Sequence, residues 1–171
     1  MLSALMDAVQ LRRGHSILEL GCGSGVINRW LARQTGGANH IVGVDINDYL
    51  LKEAVELARK EGLDQAIEFH KGDAEKLPFH EDVFNVTISS TVMEEVDADK
   101  MLDEMIRVTK PGGRVGSIVR AKDMSWLFNV PLSAALKAKI EDPIESFDEG
   151  TSCASVSLYR RFQRSRLTNI R

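Results

Sequence analysis

The residues best suited to chemistry stand where a short apolar run gives way to a helical pattern: Glu19-Leu20-Gly21-Cys22-Gly23-Ser24-Gly25. Glycines at alternate positions remove three Cβ atoms, so the backbone can turn tightly and a ligand can approach it closely. The helix that follows offers free N–H donors. Such a turn is a nucleotide-type pocket, or else a turn rich in glycine for packing alone. Twenty residues beyond Gly25 the run HIVGV ends in Asp45. A carboxylate there can accept both hydroxyl hydrogens of a ribose diol, or simply cap the next helix. Cys22 inside the turn is a nucleophile by type; a small side chain packed beneath the loop is its simpler role.

A dinucleotide fingerprint, G-x-G-x-x-G, requires glycine at position 26, where this chain has Val26 and its third glycine falls one residue early. A nicotinamide-dependent oxidoreductase loses ground accordingly. Further along, Gly72-Asp73-Ala74-Glu75-Lys76-Leu77-Pro78-Phe79 follows a third strand-like run and Ser89-Ser90-Thr91 a fourth. Glu104 to Val115 (EMIRVTKPGGRV) carries a proline-glycine turn.

In this order and spacing the segments resemble the class I S-adenosylmethionine-dependent methyltransferases. Glu19, Gly21, Gly23 and Gly25 match the family's first motif, residues 72–79 match its G-D-A-x-x-L-P-F segment, and the likeness spans roughly Ile17 to Val119. The resemblance implies S-adenosyl-L-methionine as cofactor and a doubly wound α/β fold. It assigns Gly21, Gly23 and Gly25 to close backbone contact, with Cys22 inside the same loop, and Glu19 to orienting the turn and the methionyl ammonium. It gives Asp45 the ribose, Ile46 the adenine face, and Asp73 with Ala74 the adenine edge. Ser89 and Ser90 fall where the methionyl part and the acceptor meet. The segment at 72–79 is most similar to enzymes that methylate small metabolites, including quinones and sterols, rather than nucleic acids. A cofactor-binding or interaction module without turnover is the alternative within the same fold.

Methyl transfer is an in-line displacement with a neutral leaving group, so positioning supplies much of the rate and a general base is optional. Glu94, Glu95 and His80 lie near the expected acceptor mouth, yet the histidine that the family often has near position 95 is missing, and no catalytic residue is assigned. His15, His40 and His70 lack ligand spacing, so no metal site is expected.

To hold four strand ends along one edge, the chain must alternate strands with helices. The spacing predicts a short helix through Leu2, Leu5, Met6 and Val9, then strands at Ser16–Leu20, His40–Asp45, Ala66–Lys71, Val83–Ser89 and Arg114–Val119. Between them fall helices at Val26–Thr35, stopped by Gly36-Gly37, at Asp48–Glu61, and at Asp99–Thr109, ended by Pro111-Gly112-Gly113. Further helices are expected over Pro131–Glu141 and Ala154–Arg166, with a loop over Asp142–Cys153. The fold class is α/β: a doubly wound, mostly parallel Rossmann-like sheet with helices on both faces, lacking the family's usual C-terminal strand pair. An unpaired fifth strand would invite a homodimer. Acceptor specificity is expected from the short amino-terminal helix, the segment after strand four, and Met124 to Gly150, where Trp126, Leu127, Phe128 and Phe147 are either lid aromatics or core packing.

At 171 residues this is one domain, with a core at 15–120 and a variable region at 121–171. Two distant cysteines make neither a disulfide framework nor a zinc site, and no apolar run is long enough for a membrane span, so a cytoplasmic location is expected. A net charge of -3 speaks against a nucleic-acid partner. The residues from Val156 to Arg171 nevertheless carry five arginines and no acid. A helix face complementing an acidic neighbour explains them more simply than a phosphate site.

Overall fold

The computed structural model describes residues 2–120, 133–135, 153 and 155–170. Trp126, Leu127, Phe128 and Phe147 lie outside the described residues, as does most of the expected helix at Pro131–Glu141.

The elements in chain order are α1 (Leu2–Ala8), β1 (Ser16–Leu20), α2 (Val26–Thr35), β2 (His40–Asp45), α3 (Asp48–Lys60), β3 (Ile67–Lys71), β4 (Phe84–Ser90), α4 (Ala98–Val108), β5 (Thr109–Ile118) and α5 (Ser155–Arg164). The five strands form one parallel sheet in the order β3-β2-β1-β4-β5. The chain winds outward from β1 to β3, then crosses to β4 on the other side of β1. The sheet is therefore doubly wound, and the crevice between the carboxyl ends of β1 and β4 is its switch point.

Helices cover both faces, which is why the central strands are continuously apolar rather than alternating. Ile17, Ile41, Ile67, Val86 and Ile88 face Met6 and Val9 of the α1 region, Leu31 and Ala32 of α2, and Ala58 of α3. Leu18, Leu20, Val42, Val44 and Phe84 face Met101, Leu102, Met105 and Val108 of α4, with Leu158 and Phe162 of α5 packed against that layer. One arginine of α5 meets the expected acidic neighbour: Arg161 bridges Asp99 of α4 at 2.5 Å.

Helix α1 lies against β5, where a Cβ on Gly116 would stand 2.7 Å from Val9 and 2.8 Å from Leu5. Strand β5 departs from expectation by starting at Thr109. That residue takes extended backbone and pairs with Phe84, and the next pair is Val86 with Arg114. Residues 110–113 are extruded between the two pairs, where Pro111 has no N–H to give and Gly112 turns at φ 78°. The proline-glycine segment thus interrupts the strand instead of preceding it. Among the described residues the outer edge of β5 has no strand partner. It borders a groove of about 490 Å³ lined by Leu5, Val9, Leu158, Phe162 and Ile170.

Candidate functional site

Three strand ends converge on the switch point: the glycine turn after β1, Asp45 at the end of β2, and Ser89-Ser90 at the end of β4. The turn is forced into left-handed backbone, with φ 67° at Gly21, 53° at Gly23 and 72° at Gly25. The three glycines do different things. A Cβ on Gly25 would lie 2.7 Å from the Phe69 ring and 3.2 Å from Ala54, and one on Gly21 would strike the Val92 side chain at 2.1 Å. One on Gly23 would meet nothing within 4 Å. Gly25 seats the loop on β3 and α3, Gly21 lets the post-β4 segment close over it, and Gly23 fronts open space.

Asp45 is tied on both oxygens. Oδ2 accepts the Gly23 N–H and Oδ1 the Asn47 N–H, each at 2.8 Å. Asn47 in turn caps α3, accepting from the Tyr49 and Leu50 N–H groups. The Cys22 N–H reaches the Val44 carbonyl at 3.0 Å, so the loop is laced to the end of β2 at two points. Ile46, next in the chain, is 68% exposed at the rim.

Beneath the loop lies a buried polar layer. Glu19 is only 2% exposed, and its Oε2 has no hydrogen-bond partner. Burial pushes its carboxyl well above the ordinary carboxylate range, the Asp45 charge adds to this, and a backbone N–H at Asn28 partly offsets both. Both polar atoms of the Asn28 side chain are also buried without partners, as is the Ser89 hydroxyl. Burial, with Glu19 and Asp45 nearby, pushes the Cys22 thiol strongly upward. A thiol held protonated is not a nucleophile, so Cys22 acts by packing.

The segment at 72–79 closes the other side. Asp73 is exposed and accepts the Glu75 N–H at 2.9 Å, while Ala74 packs on the α4 layer. What holds this segment is the pair Glu104–Arg107 on α4: Glu104 accepts the Leu77 N–H at 2.7 Å, and Arg107 donates to the Phe79 and Leu77 carbonyls. The i, i+3 spacing of Glu and Arg on α4 is a signal that sequence reasoning passed over.

Of the three acid–base candidates, Glu94 and Glu95 share one partner, Arg120, which donates through its backbone N–H and Nε to Glu94 and through Nη2 to Glu95. Arg120 ties the post-β4 segment to the end of β5. His80 is exposed. His40 and His70 both lie on Glu68, and no group of three metal-binding side chains occurs among the described residues.

A family model described as a methyltransferase domain matches residues 11–155. The chain belongs to the class I S-adenosylmethionine-dependent methyltransferases. The ubiquinone/menaquinone biosynthesis C-methyltransferase UbiE of Idiomarina loihiensis is 35% identical over 125 residues, 72% of this chain and 50% of that protein. The methyltransferase GfsG of Streptomyces halstedii is 34% identical over 116 residues, 67% of this chain and 41% of that protein. Both matches cover half or less of the relative's length. Among solved structures, that of the [4+2]-cyclase SpnF superposes with a TM-score of 0.74 at 24% identity, over 95% of this chain and 55% of that one. This last likeness concerns the fold only, and a cyclase on the methyltransferase fold is a reminder that activity is decided by the site.

The observed donors fit the family's cofactor. Methyltransferase members take a zwitterionic, adenosine-bearing sulfonium, which calls for carboxylates and backbone N–H groups rather than a phosphate-binding lysine. The methyltransferase domain has open space at Gly23, the Asp45 carboxylate beside it, an unpartnered buried carboxylate oxygen on Glu19, and the exposed apolar Ile46.

Proposed function

We propose that this domain binds S-adenosylmethionine in the hollow between β1, β2 and β4 and transfers its methyl group to a small-molecule acceptor. The observation that carries the reading is the bond from the Gly23 N–H to Asp45 Oδ2. It holds a rim carboxylate beside the one glycine of the turn with empty space before it. Asp45 would accept the ribose hydroxyls, Glu19 would answer the methionyl ammonium through its free Oε2, Ile46 would cover the adenine, and Asp73 with Ala74 would face the adenine edge.

When bound, the cofactor supplies an electrophilic methyl group: the acceptor's electron pair forms the new bond as the carbon–sulfur bond breaks, leaving a neutral thioether. The chain's own residues bind and align. Glu94 and Glu95 both face Arg120, no catalytic residue is assigned, and alignment of acceptor and methyl group supplies the rate. The names of the two relatives, both methyltransferases and one of a biosynthetic C-methyl step, support a small-molecule acceptor. The buried thiol of Cys22 suits the reducing cytoplasm.

Isothermal titration with S-adenosylmethionine, S-adenosylhomocysteine and NAD tests the reading. Binding of the first two and not the third is expected; no heat from either adenosyl ligand would overturn it. For assembly, the edge of β5, which has no strand partner among the described residues, favours a homodimer paired through that edge. Sedimentation at equilibrium reads the mass directly, and a monomer across the concentration range removes the dimer.

A further inference from the structure

Arg29 stands in the first turn of α2, where the partial positive charge of the helix N-terminus disfavours a cation, and its side chain is only 9% exposed. A buried cation in that place needs compensation, and two acceptors supply it. Nε donates to Glu61 Oε1 at 2.9 Å, and Nη1 donates to the Ser24 carbonyl at 2.5 Å. Ser24 lies between Gly23 and Gly25, so one guanidinium joins the glycine turn to Glu61 at the C-cap of α3. Glu61 has its own anchor, its backbone N–H on the Leu57 carbonyl, and its other oxygen meets Arg33.

The left-handed turn carries two bonds of its own, the Gly25 N–H on the Cys22 carbonyl at 2.8 Å and the Arg29 N–H on the Gly25 carbonyl at 3.0 Å. The rest of its shape depends on what grips it from outside: Val44 at Cys22, Asp45 at Gly23, Phe69 and Ala54 under Gly25, and Arg29 at Ser24. The first three belong to the sheet and α3. Arg29 belongs to the helix that the turn opens, and without Glu61 its fork has one acceptor left. We propose that Glu61, acting through Arg29, is a positioning residue for the cofactor loop: it holds the Ser24 carbonyl and so the course of the turn between Gly23 and Gly25. This rests on the cofactor reading above. Neither residue is among those assigned above to the ligand. A lysine would not replace Arg29, because a single ammonium cannot span two acceptors with the geometry of a planar fork.

Titration of S-adenosylhomocysteine into the unaltered chain and four variants tests this, with urea unfolding run in parallel to register stability separately. Glu61→Gln keeps an acceptor oxygen but removes the charge that Arg29 answers, and should weaken binding about fivefold, the difference in scale between a hydrogen bond to a charged acceptor and one to a neutral acceptor. Arg33→Ala, which removes the other half of the Glu61 ion pairing on an exposed side chain, should stay within about twofold. Arg29→Met keeps the packed stem without the fork, and the double variant Glu61→Gln/Arg29→Met should bind no more weakly than Arg29→Met alone. Equal affinity for the unaltered chain and Glu61→Gln overturns the inference. So does an equal loss in Arg33→Ala, which would trace the effect to docking of α2 on α3, and so do additive losses in the double variant. If the unaltered chain binds no S-adenosylhomocysteine, the cofactor reading falls and takes this inference with it; if it binds and Glu61→Gln binds as well, only this inference falls.

Discussion

Asp45 at the end of β2 accepts the backbone N–H of Gly23 across the mouth of β1, and a single carboxylate thereby sets the shape of the loop and presents its remaining lone pairs at the rim. Asp45→Ala should weaken S-adenosylhomocysteine binding by about 1.5–3 kcal/mol, the scale of hydrogen bonds to a charged group. Asp45→Asn retains the size and an acceptor oxygen for Gly23 but loses the charge, so it should fall between. Titration calorimetry reads both, and affinity unchanged in Asp45→Ala would remove the carboxylate from the ribose.

The glycines of the turn should separate under substitution. Gly25→Ala combines left-handed backbone with a Cβ 2.7 Å from the Phe69 ring, and should cost about 2–4 kcal/mol of stability in urea unfolding. Gly23→Ala meets no neighbour, so its cost in stability should be about 1–2 kcal/mol from the backbone alone. Its methyl group, however, would take up the open space proposed for the ligand, and adenosyl ligand binding should be lost. If Gly23→Ala binds ligand normally, the hollow is not the site.

Much of this was legible because apolar period and turn chemistry agree in the sequence. Strands buried on both faces read as continuous apolar runs, and Gly36-Gly37 and Gly62 end their helices in left-handed turns. The ends of β1 and β2 could be named because glycine and aspartate have few other reasons to follow such runs. What could not be read was the packing that decides between roles. Gly21, Gly23 and Gly25 are equivalent as letters, yet Val92, empty space and Phe69 make them three different positions. Asn28, Arg29 and Arg120 look like ordinary helix-face or loop residues until tertiary contacts give them a buried layer, a loop carbonyl and two carboxylates. The start of β5 was missed for a similar reason: Thr109 continues the helical pattern locally, and only Phe84 on the neighbouring strand draws it into the sheet.

The pair Glu104–Arg107 should matter to the segment at 72–79 more than an ordinary i, i+3 ion pair would. Arg107→Lys leaves an ammonium near Glu104 but cannot also serve the Phe79 and Leu77 carbonyls. A loss of about 1–3 kcal/mol is expected in urea unfolding. Hydrogen bonds from Arg107 chiefly, and from the Leu77 N–H, hold the Glu104 carboxyl below its ordinary value of 4.5. Its contribution is therefore present above pH 4.5 and lost as the pH falls through the lowered value. Glu104→Gln should accordingly reduce the steepness of acid unfolding, and an identical acid limb in the variant would show that the pair carries no linkage.

Glu19 should act in the opposite sense. Its carboxyl is raised in the folded chain, above all by burial, so the protonated form is favoured there, and the associated stability is complete below pH 4.5 and is lost as the pH rises toward the raised value. The stability of the ligand-free chain relative to Glu19→Gln should therefore decline on going up from pH 4.5 and then level off. A ligand ammonium reverses the preference, because it is answered by the ionised carboxylate, so affinity for S-adenosylhomocysteine should rise over the same pH window and the rise should vanish in Glu19→Gln. Urea titrations and calorimetry at matched pH values measure the two halves independently. A stability difference that does not change with pH would mean that Glu19 is not held protonated beneath the loop. A pH-dependent stability difference with a pH-independent affinity would mean that its free Oε2 faces something other than the ammonium.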